Sequence, residues 1–211
     1  GRARTVVYNT DRVAADELPA DLTGFVDPRW RGRVGWAPTN ASFQAMVTVM
    51  RVGWGEDKTH DWLVAMLDND TQTYDKNSPI VAAVGAGEID AGMVNHYYLH
   101  RFLAEEGPEF PARNAFLNSG GPGALVLVAG AGILSSSRRL EAAEAFLAYL
   151  LTDEIQSEFV ASTDEYPLAA GVAPPADVPA LDDLNPMAVD LQDLADLKGT
   201  VRLLRDVGAM P

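Results

Sequence analysis

Short β-branched runs and segments of helical period take turns along this chain, and that alternation leaves few architectures open to it. Thr5-Val6-Val7-Tyr8 reads as a strand. Arg33-Val34-Gly35-Trp36 reads as a second, stopped at Pro38, and Ile89–Val94 as a third with Gly92 inside it. After the second strand, Phe43, Met46, Val47 and Met50 fall at the i, i+3, i+4, i+7 spacing of one buried helix face. That helix starts near Thr39 or Asn40. Further helices are predicted over Asp57–Leu67, with Trp62, Met66 and Leu67 facing in, and from Asn77-Ser78-Pro79 to Gly85–Gly87. Ser78 suits the N-cap of the latter and Pro79 its first helical position. Others are expected over Tyr97–Ala104, Leu140–Leu151 and Leu191–Val207, with a buried strand at Ala124–Val128. Ala173 to Pro179 reads as a linker. Strands alternating with helices predict an α/β fold with some parallel pairing.

The 211 residues suit one large domain or two small ones. A formal net charge of −14 repels nucleic-acid phosphates and anionic lipid, so neither partner is expected. The chain contains no cysteine, which excludes thiolate metal sites and disulfides. No apolar run is long enough to span a membrane. The opening Gly1-Arg2-Ala3-Arg4 has no signal-peptide pattern and reads as the start of a mature protein or a fragment.

Three helix starts are candidates for a ligand: Thr39-Asn40-Ala41-Ser42, Asn77-Ser78-Pro79 and Asn95-His96-Tyr97-Tyr98. Two directly follow predicted strands. In an α/β sheet such turns gather at the carboxyl ends of the strands, where ligands bind. Free N–H groups and the positive helix end favour an anion there, although Asn, Ser and Thr are also ordinary N-caps.

Tyr97-Tyr98 is a different signal. Adjacent side chains on a regular helix diverge by ~100°. Either one ring is buried and the other lies at the surface, or an irregular helix start lets both phenols converge on a hard trivalent cation. A phenol ordinarily loses its proton near pH ~10, but a strong Lewis acid can displace that proton. His96 and His100 have the i, i+4 spacing of zinc-binding pairs, yet the Glu of H-E-x-x-H is absent and no third ligand is evident. They read better as a solvated pair. The Gly130-Ala131-Gly132 run lacks the third glycine of a dinucleotide motif, since position 135 is Ser135. No nucleophile sits beside a base, so no enzyme is expected.

The run Trp30-Arg31-Gly32-Arg33-Val34-Gly35-Trp36-Ala37-Pro38-Thr39-Asn40-Ala41-Ser42-Phe43 resembles the middle of bacterial periplasmic ferric-ion-binding proteins, the solute-binding components of iron ABC importers. The resemblance continues through Asn77-Ser78, Gly87-Glu88-Ile89-Asp90-Ala91-Gly92, Asn95-His96-Tyr97-Tyr98, Pro122-Gly123-Ala124-Leu125 and Glu165-Tyr166-Pro167-Leu168. It implies an α/β periplasmic-binding-protein fold of type II, present here as the second lobe with a partial first lobe. Residues 1–127 and 179–211 would form the second lobe, and residues 128–178 would belong to the first. Tyr97 and Tyr98 would be ligands to Fe³⁺. Asn40, Ala41, Ser42, Asn77 and Asn95 would hold a synergistic anion, phosphate or carbonate. Ser42 stands where some members carry a further tyrosine ligand, which implies the anion-assisted type. The remaining ligands would come from an N-terminal lobe lying upstream. The partner would be an ABC permease, and the location the periplasm or the outer face of the cell envelope, with or without a lipid anchor. A binding protein of the same fold for a small anion or other solute without iron is the alternative.

Overall fold

The computed structural model describes residues 1–211, apart from the side chain of Leu191. Its strands are β1 (Arg2–Asn9), β2 (Val34–Trp36), β3 (Gln72–Thr73), β4 (Ala91–Asn95), β5 (Ala112–Ala115) and β6 (Val126–Leu127). They form one sheet in the order β3-β2-β4-β1-β5, with β6 also paired to β1. β2 runs parallel to both neighbours, Gly35 lying opposite Gln72 on one side and Gly92 on the other. β1 is antiparallel to β4, β5 and β6, with Arg4 opposite Asn95.

Seven helices accompany the sheet: α1 (Ala41–Trp54), α2 (Glu56–Asp68), α3 (Asn77–Gly85), α4 (Tyr97–Glu106), α5 (Leu140–Leu150), α6 (Asp153–Thr163) and α7 (Leu197–Asp206). Successive strand residues face opposite sides of a sheet. Val6 therefore joins the core made with Phe43, Met46, Leu63, Met66 and Leu204, from α1, α2 and α7. Val7 joins the opposite core, with Ile80, Val84 and Leu99 of α3 and α4. The apolar stripe expected on α1 is buried in full at Phe43, Met46, Val47 and Met50. On α2, Trp62 and Met66 are buried and Leu67 is half-buried.

Gly92 has a packing reason. Ile80 presses on its α-carbon so closely that a Cβ there would collide with Ile80 Cγ2. At the entry to β4, the buried carboxylate of Asp90 is bonded by Arg12 and Arg33. Burial opposes its ionisation, but the two guanidinium partners outweigh that and hold it below the usual carboxylate range.

Several expected boundaries move. α3 begins at Asn77 with Lys76 as N-cap, so Ser78 is inside the helix and Pro79 is its third residue. The first helical turn has no intrahelical N–H bond to lose, so proline is tolerated there too. The expected helix Leu191–Val207 is split into a 3₁₀ turn at Leu191–Ala195 and α7. Asp196 divides them, because its side chain accepts from Gly199 N at 2.9 Å and caps α7. The strand expected over Ala124–Val128 is reduced to two half-buried residues, since Ala124 closes a 3₁₀ turn. α5 forms as expected but none of its residues is buried.

Candidate metal and anion site

The parallel strands β3, β2 and β4 are neighbours, and a helix follows each: α3, α1 and α4. The three helix starts singled out from sequence thus follow the carboxyl ends of adjacent parallel strands, the usual ligand edge of an α/β sheet. The short strand β3 had no apolar pattern to betray it, and it is the element that brings α3 into the row.

Asn40 is the N-cap of α1, and its Oδ1 accepts from Ser42 N at 3.0 Å. Ser42 Oγ accepts from Asn95 Nδ2 at 3.1 Å. Asn95 Oδ1 in turn accepts from Arg4 Nη1 at 3.1 Å. One hydrogen-bond chain therefore links the α1 start to the end of β4 and across to β1. Arg4 can only donate, so Asn95 must offer it oxygen. The amide nitrogen of Asn95 is then turned toward α1. Ala41, the first residue of α1, is exposed. Asn77 is 1% exposed, and neither end of its side-chain amide has a partner among the described residues. It is not hydrogen-bonded into the chain that joins Asn40, Ser42 and Asn95.

The tyrosine rings do not diverge. Tyr97 and Tyr98 stack with centroids 4.4 Å apart and planes 28° from parallel. Both are half-buried at the first turn of α4. Burial pushes the Tyr97 phenol up to about 12, and the neighbouring Tyr98 adds to this while Asn95 opposes it. Arg101 lies over the Tyr98 ring, 5.8 Å from its centroid.

His96 is not solvated. It is fully buried, its Nδ1 accepts from Ala3 N at 3.1 Å, and its Nε2 donates to Asp164 O at 2.8 Å. With both ring nitrogens used inside the protein, it does not form a chelating pair with His100. His100 instead faces Asp177 Oδ2 at 3.5 Å and Asp164 Oδ1 at 4.0 Å. Among the described residues no cluster of three or more His, Asp or Glu side chains could hold a metal. The two phenols stand side by side at this edge, with the Glu165 carboxylate close enough to act on Tyr97.

Arg4 was missed from sequence. The strand read from sequence begins at Thr5 and leaves Arg4 outside it, whereas β1 runs from Arg2 to Asn9. The signal available was its place inside an apolar strand, where a cation needs an anionic or polar counterpart.

The family model described as "Bacterial extracellular solute-binding protein" matches residues 2–196. The chain is 33% identical over 209 residues to the "Major ferric iron-binding protein" of Neisseria meningitidis, covering 99% of this chain and 63% of that one. It is 32% identical over 212 residues to the "Fe(3+)-binding periplasmic protein" of Serratia marcescens, covering 99% of this chain and 62% of that one. The chain thus spans less than two thirds of the length of these relatives. Iron-bound HitA from Pseudomonas aeruginosa superposes with a TM-score of 0.90 at 31% identity, over 98% of this chain and 67% of that one. The fold is that of type II periplasmic binding proteins, and the family is one of solute-binding transport proteins, not of enzymes. The chain belongs to the bacterial extracellular solute-binding proteins, and it is similar to relatives of that kind named for ferric ion.

Proposed function

We propose that this chain carries the tyrosine face of a ferric-ion site, taking Fe³⁺ as cargo through Tyr97 and Tyr98 together with a small anion. The observation that carries this reading is the stacked tyrosine pair at the ligand edge of the sheet, beside a row of hydrogen-bond donors. Two phenolates supply hard anionic oxygen to a hard cation. Asn40, Ala41, Ser42, Asn77 and Asn95 hold the anion, phosphate or carbonate. The paired Asn95 amide nitrogen, the unpaired Asn77 amide and the α1 N-terminus support that assignment. Relatives named for ferric ion support the choice of cargo.

In the same reading, the whole protein is the solute-binding component of an iron ABC importer. It works in the periplasm or on the outer face of the cell envelope, free or lipid-anchored, and hands its ion to a membrane permease. Among the described residues no helix is long and apolar enough to cross a membrane. Residues 1–127 and 179–211 act as the second lobe, and 128–178 belong to a first lobe completed by further chain, which supplies the remaining iron ligands. That no residue of α5 is buried supports that division.

The test is spectroscopic. Ferric salt with phosphate, added to the full-length protein, should give a visible phenolate-to-iron charge-transfer band. Tyr97→Phe and Tyr98→Phe should each remove most of it. A band that survives both substitutions unchanged would sink the assignment. The unpaired amide of Asn77 favours a second reading, anion binding without iron. Calorimetry with phosphate alone, giving tight binding in wild type and none in Asn77→Leu, would support it.

A further inference from the structure

Arg4 is 2% exposed, so its charge is held away from water. Its Nη1 is bonded to Asn95, while Nε and Nη2 have no partner among the described residues. No carboxylate lies within ion-pair distance of it among those residues. A lone buried cation is costly unless anionic or polar groups surround it. Elsewhere in this fold that rule is kept: the buried carboxylate Asp90 has two arginine partners. The groups whose charge would bear on Arg4, once ionised, are the phenols of Tyr97 and Tyr98. Burial pushes its guanidinium down to about 10, the tyrosines oppose this, and it remains a cation at neutral pH.

The sheet explains how Arg4 comes to point there. Arg4 lies directly opposite Asn95 in the β1–β4 register, so both side chains leave the same face at the same level. Tyr97 follows Asn95 by two residues. The cation therefore sits behind the Asn95 amide that reaches the α1 turn, and Asn95 is two residues from the start of the tyrosine pair.

We propose that Arg4 is the fixed counter-charge of this site, a positioning residue that offsets the phenolates and the anion and holds the Asn95 amide nitrogen toward Ser42. The inference rests on the ferric reading above. Its charge balance is simple. A trivalent ion with two phenolates and a phosphate of about two negative charges leaves one negative charge, before any further ligand. Arg4 matches it. A lysine would keep the charge but lose the planar fork, in which Nη1 holds Asn95 while Nε and Nη2 are left for a further acceptor.

The experiment compares wild type, Arg4→Gln and Arg4→Lys in the full-length protein, loaded with ferric nitrilotriacetate and titrated with inorganic phosphate. The readouts are the wavelength of the charge-transfer band and the phosphate concentration giving half its amplitude. Arg4→Gln should move the band and raise the half-saturating phosphate about tenfold, the equivalent of one charge-assisted hydrogen bond. Arg4→Lys should keep the wavelength and raise the phosphate requirement by about threefold, through the lost fork. A merely structural arginine would lower the folded fraction but leave both readouts of the folded molecules unchanged. Wild-type wavelength and phosphate requirement in Arg4→Gln would overturn the inference while leaving the ferric reading intact. If Arg4→Gln does not fold, an unchanged phosphate requirement in Arg4→Lys overturns it equally. Absence of any band in wild type defeats the ferric reading, and this inference with it.

Discussion

Burial pushes the His96 imidazole down to about 4, despite the hydrogen bond it donates to the Asp164 carbonyl, which opposes the shift. The fold therefore stabilises its neutral form. An unfolded histidine titrates near ~6.5. Stability from neutral His96 is fully present above that value and is lost as pH falls toward about 4. A shift of this size corresponds to about 3 kcal/mol across the window. His96→Asn cannot be protonated, so its urea-unfolding free energy should start lower near neutrality and fall less steeply between about pH 6.5 and 4.5 than wild type's. Parallel acid limbs in the two proteins would refute this. Residues of this kind were only partly legible. The His96–His100 spacing was visible, but their separation into a buried, saturated ring and one facing Asp177 depends on segments more than sixty residues away. Arg4 is the same case, since its partner Asn95 is 91 positions along the chain. Tyr97-Tyr98 could be found because adjacency is itself a sequence property. Their stacking could not, since His96 enters α4 with helical φ and ψ of −55° and −42°, from which adjacent rings are expected to diverge.

Elements were legible where one strong pattern fixed them. α1 carries four apolar residues at helical spacing behind an Asn that caps it, and every one of those signals agrees. β3 and β5 carry no such pattern, with Gln72-Thr73 exposed and Arg113-Asn114 inside β5. They become strands only because β2 and β1 offer edges to pair with. The end of the chain failed for a local reason: helical periodicity runs across Asp196, whose capping bond breaks it. Gly92 shows how closely one element constrains another. A methyl group there meets Ile80, which is itself fully buried on α3, and Ile80 cannot withdraw without opening the core against Val84 and Leu99. Gly92→Ala should therefore cost about 1–3 kcal/mol by overpacking, read as a lowered urea midpoint with an unchanged slope. Ile80→Val in the same chain should restore part of the loss. If Gly92→Ala is as stable as wild type, the contact is softer than its geometry indicates.

At the scale of the molecule, the two sides of the chain differ. The sheet and the helices α1 to α4 and α7 bury their apolar faces in two cores. The helices α5 and α6 do not: Phe146 is 59% exposed and Tyr149 51%, and Val128, Leu134, Leu140 and Phe159 are exposed with them. A patch of this kind on a soluble protein marks a surface that another surface covers. The same segment is tied to the rest by specific bonds and by a small core in which Tyr166 and Val178 meet Ala3 and Leu184. Gly1 and Tyr166 exchange backbone hydrogen bonds, and Asp164 O holds His96. Fold class was readable from the alternation of strands and helices, whereas this asymmetry was implied only by the family resemblance that set 128–178 apart, because the period of α5 is that of any helix packed on a core. If chain beyond these 211 residues normally covers the face, the 211-residue chain produced alone should cover it with a second copy of itself. Sedimentation velocity should then show a mass that rises with protein concentration. Phe146→Ser with Tyr149→Ser should shift that equilibrium toward monomer while leaving the near-ultraviolet signal of the four tryptophans, none of which lies in α5 or α6, unchanged. A single monomeric species for the 211-residue chain at high concentration would show that the face needs no cover, and would remove the support it gives to a divided lobe arrangement.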